Sequence, residues 1–309
     1  MALRKHYAIL FMLMAAITLL ITACSQTVIG TGTATSTSSL TPLQVLQKSA
    51  NAMNQLKSSH IDLQSNTSLQ TSNAATPSAG TGTPTPSNVN INITGTGDEA
   101  FTSDQASPDQ EQLTLNIGQA AKVAEIVQND KIYVQNPQGQ WFVLNKSDFQ
   151  GSISNPFSGV NLDQNSLLGL LQHTKITDHG DENLNGQSLR HITADLDKTA
   201  LRQMLNDNPQ LQGALGQQNL DAVMNNLKSF QSSIDVWIDE TQFYVHRTEL
   251  KLNLVTNTST NEGAAPSTAT TNLDTIIDLS KFNAPVTITP PTNATPTNNP
   301  GAIFGFGRP

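Results

Sequence analysis

Short stretches in which apolar and polar residues alternate recur along most of the chain, and they constrain the fold more than any other feature. Alternation places the apolar side chains of a strand on one face, which is typical of a sheet with one buried face. Asn129-Asp130 and Asn185-Gly186 each separate two such stretches by the two residues of a tight hairpin. The pattern predicts one antiparallel sheet. Its strands are expected near 61–69, 89–93, 113–117, 123–128, 131–135, 141–144, 175–183, 187–195, 233–239, 243–255, 273–279 and 286–288.

Helical spacing is found in separate blocks between these strands. Thr41, Pro42 and Gln44 form a capping-box signature ahead of apolar residues at 43, 46, 50, 53 and 56. Asp197 is placed to cap a second helix, and Asn208-Pro209 opens a third that carries apolar residues through 227. A short leucine-rich helix is expected near 163–171. Long strands joined by hairpins, with a few helices, predict an α+β fold on one antiparallel sheet.

Four segments rich in Ser, Thr, Asn, Pro and Gly show neither pattern: 24–41, 71–88, 257–270 and 290–309. Such compositions bury too little apolar area to offset the entropy of ordering, so we expect them to be flexible. The first would be a linker, the next two insertions at hairpin tips, and the last a disordered tail. Residues 42–289 are then expected to fold as one domain.

The N-terminus has the layout of an export signal. Arg4, Lys5 and His6 precede an apolar run at 8–21, which is short for a membrane span. Thr22 and Ala23 are small, and Cys24 follows directly. The pattern resembles the bacterial lipoprotein signal, in which residues 1–23 are removed and Cys24 is acylated. The alternatives are an ordinary secretory signal with an incidental cysteine, or an uncleaved anchor.

Charge and cysteine content exclude several classes of function. Removing residues 1–23 takes away two basic residues and no acid, which changes the formal net charge from −8 to −10. An acidic chain without basic runs is a poor candidate for binding nucleic acid or anionic lipid. Cys24 is the only cysteine, so once it is acylated no thiol remains for disulfides, zinc or catalysis. We expect an extracytoplasmic monomer anchored to a membrane; which membrane is left open.

Several polar residues could suggest metal binding or catalysis, but each also fits a structural or solvent-exposed position. A metal site is conceivable in one crowded segment, but the segment reads as a strand with Gly180 bulging or turning, and we interpret its polar residues as solvated rather than as metal ligands. That segment holds His173, Asp178, His179, Asp181 and Glu182.

Residues 186–190 read GQSLR, which only superficially resembles the nucleophile elbow of hydrolases because the last position is not glycine. His191 and His246 are expected to be ordinary strand residues. Asp235, Trp237 and Asp239 share a solvent face, with Trp237 partly covered by a neighbour. We therefore expect no enzyme, no cofactor and no metal.

Beyond the N-terminal signal, four sequence pieces occur in a familiar order. The first helix reads LQVLQKSANAMNQLKSSHIDL from residue 43, and GQWF lies at 139–142. GQSLRHI follows at 186–192, and IDVWID at 234–239 precedes a long strand. In this order the chain resembles the LolA/LolB-like lipoprotein carriers, and most of all the LppX/LprG lipoproteins.

The resemblance implies a strongly curved, incompletely closed antiparallel sheet, a half-barrel with helices packed on its concave face. It also implies an apolar cavity that binds lipid or another hydrophobic ligand without catalysis, for lipid or lipoprotein carriage in the cell envelope. The residues expected to line the cavity or its mouth are Leu113, Leu115, Trp141, Phe142, Val236 and Phe243. Slender aliphatics on one sheet face fit a lipid pocket and a filled core equally well. The alternative is therefore a non-catalytic envelope scaffold with a filled core that binds another protein.

Overall fold

A computed structural model describes residues 40–73, 87–101, 109–119, 121–146, 174–207, 220–257, 267–298 and 303. Cys24 and the helix expected near 163–171 lie outside these residues. The described residues form three helices, α1 (Pro42–Met53), α2 (Lys198–Asp207) and α3 (Leu220–Asn226). The strands are β1 (Ser58–Asn73), β2 (Ser87–Ala100), β3 (Gln110–Ile117), β4 (Ala121–Gln128), β5 (Lys131–Gln135), β6 (Trp141–Asn145), β7 (Lys175–Leu184), β8 (Gln187–Leu196), β9 (Leu227–Ile238), β10 (Val245–Asn257), β11 (Ser267–Ser280) and β12 (Thr295–Pro296).

All of these strands belong to one open sheet, in the order β12-β6-β5-β4-β3-β2-β1-β11-β10-β9-β8-β7. The chain enters at β1, in the middle, and builds outward through β6. It then starts again at the far edge with β7 and returns, so that β11 pairs with β1. Neighbours are antiparallel except β12, which lies parallel to β6. An open sheet with few helices is what the sequence predicts, and the parallel pair makes the sheet mixed.

The predicted local signals are confirmed. The Thr41 backbone N donates to Gln44 Oε1 at 2.9 Å, and the Gln44 backbone N donates to Thr41 Oγ1 at 3.3 Å, which completes the capping box. Asp197 Oδ1 accepts a hydrogen bond from the Ala200 backbone N at 2.8 Å at the start of α2. Asn129 and Asn185 turn their hairpins with φ of 55° and 53°, left-handed values that asparagine tolerates better than most residues.

Strand register gives the sheet two chemically different faces. Ser59 lies opposite Glu99 and Glu99 opposite Glu111, and alternate residues along each strand share that side. We call this side the apolar face because its other members are mainly Ile, Leu, Val and Phe. The opposite side, the polar face, carries His60, Asp62 and Gln64 on β1 and similar residues on its neighbours.

The described helices pack against one half of the apolar face. Val45 of α1 is fully buried with Ile192 and Ile238, and Ala200 of α2 is fully buried with Leu196. A third group joins α3 to the same region through Met224, which is 2 % exposed. The main helix contacts thus fall on strands β7–β10. Among the described residues, no helix has both the length and the apolar character needed to cross a bilayer.

Strands β1, β2 and β11 extend into segments expected to be flexible. β1 runs to Asn73, which pairs with Ser267 at the start of β11, and β2 already begins at Ser87. Residues 267–271 read STATT, and β-branched threonine fits a strand well when both neighbours supply hydrogen bonds. The insertions outside the sheet are therefore shorter than the composition suggested.

The C-terminal segment also differs from its expected disorder. Thr295 pairs with Phe142 in the parallel β12–β6 ladder. Ile303 is 2 % exposed and packs with Val127, Ile132, Val134 and Leu144. An apolar residue in a mostly polar segment stabilises the fold when it is buried in a core, which a composition average does not reveal. Residues 286–288, expected as a strand, are irregular, although Ile288 is 5 % exposed.

Candidate functional site

The apolar face changes character between its two halves. On β8–β11 several of its residues are fully buried, among them Ile192 (1 % exposed), Leu250 (7 %) and Leu273 (3 %), while Phe230, Ile234 and Val236 are partly buried. On β1–β4 most aliphatic residues of this face keep accessible surface around the buried Ile93, and Val89 is 38 % exposed. We call this set the aliphatic strip. It consists of Ile61, Leu63, Leu69, Val89, Ile91, Leu113, Leu115, Ile117 and Val123.

Glycines interrupt the strip on β2. Gly95 lies between Leu63 and Leu115, and Gly97 lies between Ile61 and Leu113. A Cβ at Gly97 would lie 2.2 Å from the Gln112 carbonyl oxygen, so β2 and β3 approach each other there more closely than side chains allow. Glycine inside a strand commonly marks a sharp bend or a close backbone approach. The close pairing of β2 and β3 within the strip therefore requires glycine at position 97.

The six predicted lining residues do not form one group. Leu113 and Leu115 are neighbours on β3 and belong to the aliphatic strip. Phe142 is on the same face at β6, where it packs against the core group that contains Ile303. Its chain neighbour Trp141 pairs with Gln135 and lies on the polar face.

The other two predicted lining residues lie in the other half of the sheet. Val236 packs beside Val45 and Ile238 under α1. Phe243 has a φ of 62° in the β9–β10 connection, and Lys48 Nζ is 4.8 Å from its ring centroid. The structure thus brings together Leu113 and Leu115, and it places the remaining four at other positions.

Three glutamates lie on the same face beside the strip. Glu99, 8 % exposed, accepts a hydrogen bond from the Ser59 hydroxyl, and burial raises its pKa to about 7 against the opposing effect of that bond. Burial and the neighbouring Glu111 raise the pKa of Glu125 to about 8. Burial raises the pKa of Glu111 as well, and Lys146 opposes that rise.

With pKa values of about 7 and about 8, Glu99 and Glu125 are largely or partly protonated near neutral pH. A protonated carboxyl group donates a hydrogen bond as well as accepting one, and it carries no charge into an apolar site. The sequence analysis did not predict these glutamates, although a signal was present. Glu111 alternates with Leu113 and Leu115 and so lies on their side of the strand, and Glu125 does the same with Val123 and Val127. An acidic residue at a position that alternates with apolar residues is the pattern that would have identified this group.

Other polar candidates have structural roles. The Arg190 guanidinium binds Asp178 at 2.6 Å and Glu240 at 2.8 Å and donates to the Leu40 carbonyl at 2.8 Å. The hydrogen bond from Arg190 lowers the pKa of Asp178. Ser188 lies within strand β8, so residues 186–190 do not adopt the strand–turn–helix geometry of a nucleophile elbow. The predicted bulge at Gly180 is confirmed by the register shift after Asp178.

Comparison with solved structures finds several weak likenesses. The lipoprotein LppX of Mycobacterium tuberculosis is 17 % identical with a TM-score of 0.42, covering 80 % of this chain and 97 % of that one. LprF of Mycobacterium bovis is 15 % identical with a TM-score of 0.36, covering 80 % and 95 %. A domain from Vibrio parahaemolyticus, described as an outer membrane lipoprotein-sorting protein, is 11 % identical with a TM-score of 0.20, covering 73 % and 87 %. Comparison with the curated proteins gave no match.

The sequence match to a protein family is more extensive. The model of the family of unknown function DUF6612 matches residues 41–295, which span the described sheet from the cap of α1 to the start of β12. The narrower likeness to the LppX/LprG lipoproteins stays a prediction. By this match the chain belongs to family DUF6612.

Proposed function

We propose that this protein is a lipid-anchored envelope protein that binds acyl chains, or another hydrophobic ligand, along its aliphatic strip and carries them without catalysis. One observation supports the proposal above the others. The hydrophobic groups that hold the described helices lie on the apolar face of β7–β10, while on β1–β3 the aliphatic side chains other than the buried Ile93 remain partly accessible on the same face. Clustered aliphatic surface that remains accessible is typical of a ligand-binding groove, whereas the residues of an ordinary core are closed off.

The residues of the strip suit an acyl chain. Leu113 and Leu115 supply branched aliphatic surface, and Gly95 and Gly97 add none of their own. Two of the acids beside them are largely or partly protonated near neutral pH, so little charge has to be desolvated when a ligand enters. Burial of a methylene contributes about 0.8 kcal/mol, so a tetradecanoyl chain would gain on the order of 10 kcal/mol before association costs.

The anchor would come from acylated Cys24, which lies outside the described residues. Cys24 precedes the first described residue, Leu40, by 16 residues, so the tether between an acyl anchor and the domain would be short. A domain on such a tether stays close to the membrane that holds its anchor. The proposed location is therefore the outer side of a cell membrane, with membrane lipid as the ligand source.

Chain-length dependence tests the proposal. Dodecanoic, tetradecanoic and hexadecanoic acid would be titrated against the full chain in detergent, with displacement of a fluorescent acyl probe as the readout. At about 0.8 kcal/mol per methylene, each pair of added carbons should tighten binding about 15-fold until the strip is filled. A scaffold with a filled core would show no such series, and that result would reject the carrier function.

A matched pair of variants locates the site. Leu113→Trp adds bulk to the strip, and Asn116→Trp introduces the same side chain on the polar face of the same strand. Binding of the acyl probe should be lost in the first and kept in the second, with both variants folded by circular dichroism. Equal binding by both would place the ligand elsewhere and contradict the role of Leu113.

A further inference from the structure

Three strands at the β7 end of the sheet bring two histidines and an aspartate together on the polar face. They are His179 of β7, His191 of β8 and Asp235 of β9, which are far apart in sequence. One nitrogen or oxygen from each lies within 4.8 Å of the others. His191 Nε2 is already 2.9 Å from Asp235 Oδ1. Because the bulge after Asp178 inserts one extra residue, His179 can reach over the neighbouring strand.

The surroundings of His191 orient its ring. Its Nδ1 lies 2.9 Å from Glu182 Oε2, and the same carboxylate accepts a hydrogen bond from Trp237 Nε1 at 2.9 Å. The His191 ring stacks on the Trp237 indole at a centroid distance of 4.2 Å and on the His179 ring at 4.4 Å. With Nδ1–H donating to Glu182, the lone pair of Nε2 points toward Asp235. A histidine that ligates a metal through one ring nitrogen usually donates a hydrogen bond from the other ring nitrogen to a carboxylate.

We propose that His179 Nε2, His191 Nε2 and Asp235 Oδ1 bind a divalent transition-metal ion, with Zn²⁺ the best fit. Two imidazoles and one carboxylate are a donor set that suits zinc, copper and nickel, whereas calcium and magnesium prefer oxygen alone. The fourth position is left to water, as in zinc sites with three protein ligands. This site is independent of the aliphatic strip, which lies on the other face of the sheet.

The required movement is small and falls on the exposed ligand. Ligand atoms around tetrahedral zinc are about 3.3 Å apart, so the His191–Asp235 pair nearly has the required spacing. The His191 and Asp235 side chains are 16 % and 12 % exposed, which leaves little room for them to move. His179 is exposed and bonds only Thr193 Oγ1, at 2.8 Å, among the described residues. It would release this hydroxyl and rotate toward the metal.

The competing arrangement is a purely ionic one. A doubly protonated His191 would donate to Glu182 and Asp235 at once and would need no metal. The two arrangements differ in what His179 does: in the ionic one it bonds the Thr193 hydroxyl, which donates to Asp235 Oδ1, whereas in the metal site it is itself a ligand. Variants at His179 therefore separate them.

The test uses the full chain in detergent, without a polyhistidine tag and stripped of metal by a chelator. Isothermal titration with Zn²⁺ should show one saturable site, and both His179→Ala and Asp235→Asn should lose it. Glu182→Gln should weaken the affinity about tenfold or more by loosening the second shell. Cu²⁺ should quench the fluorescence of Trp237, whose ring is stacked on a proposed ligand.

A second histidine on the same face provides the control. His60 Nδ1 lies 2.6 Å from Asp98 Oδ1, and its Nε2 lies 3.6 Å from Asp62 Oδ2, so it has two acidic neighbours. His60→Ala should leave the zinc titration unchanged. Absence of saturable Zn²⁺ binding in the wild-type chain, or unchanged binding in His179→Ala, would overturn the proposal and leave the ionic bridge.

Discussion

Replacing Glu125 by glutamine should make the protein less sensitive to alkaline pH. Burial raises the pKa of this glutamate from its ordinary 4.5 to about 8. The folded state therefore binds the proton more tightly than the unfolded state. The contribution of protonated Glu125 to the free energy of unfolding is fully present below pH 4.5 and is lost as pH rises through about 8.

The magnitude follows from that pKa window. Each pKa unit corresponds to about 1.4 kcal/mol, so a carboxylate sealed from water would lose about 5 kcal/mol across the window. The Glu125 side chain keeps some accessible surface, which screens its charge. We therefore expect a difference of about 2–3 kcal/mol. Glutamine has the same shape and no charge, so Glu125→Gln should remove this loss.

Urea unfolding at several pH values between 5 and 9 measures the effect, with the free energy of unfolding extrapolated linearly to water. The wild-type value should fall more steeply with pH than that of Glu125→Gln. Glu249→Gln is the matched control, because Glu249 lies on the polar face with Lys251 Nζ at 2.8 Å. Parallel pH curves for the wild type and Glu125→Gln would show that this carboxylate is not desolvated and would refute the reasoning.

Four further predictions concern single positions. Thr41→Ala should lower the free energy of unfolding by about 1 kcal/mol through loss of the cap, measured by urea titration. Gly97→Ala should cost about 1–3 kcal/mol, and more than Gly95→Ala, because its Cβ meets a backbone oxygen rather than the end of a leucine side chain. Ile303→Ala should cost about 2–5 kcal/mol, whereas a disordered tail would show no change. Cys24→Ser should release the protein from membranes in cell fractionation, and continued membrane association would contradict acylation.

Local signals in the sequence predicted the elements that short-range chemistry decides. Thr41 and Gln44 lie within one helical turn, so their capping box can be read directly. Asn129 and Asn185 mark turns for the same reason. Alternation placed Leu113 and Leu115 on a common face, which is a property of one strand.

What could not be predicted depends on which strands become neighbours. His179, His191 and Asp235 meet only because β7, β8 and β9 are adjacent at one edge, and each residue alone resembles an ordinary strand residue. Separation of Val236 from Leu113 is likewise set by strand order. Burial of Ile303 also depends on β4, β5 and β6 being neighbours, because Val127, Ile132 and Leu144 on these strands pack around it.

The central position of β1 has a consequence for the order of events in the cell. Its partner β11 ends at residue 280, and His60 pairs with Ser280, so the middle of the sheet is incomplete until nearly the whole chain has been made. Pairings so distant in sequence slow folding. A nascent chain with this topology cannot complete the middle of its sheet before β11 has been made, so under the proposed export the sheet would close only after the last long strand has crossed the membrane.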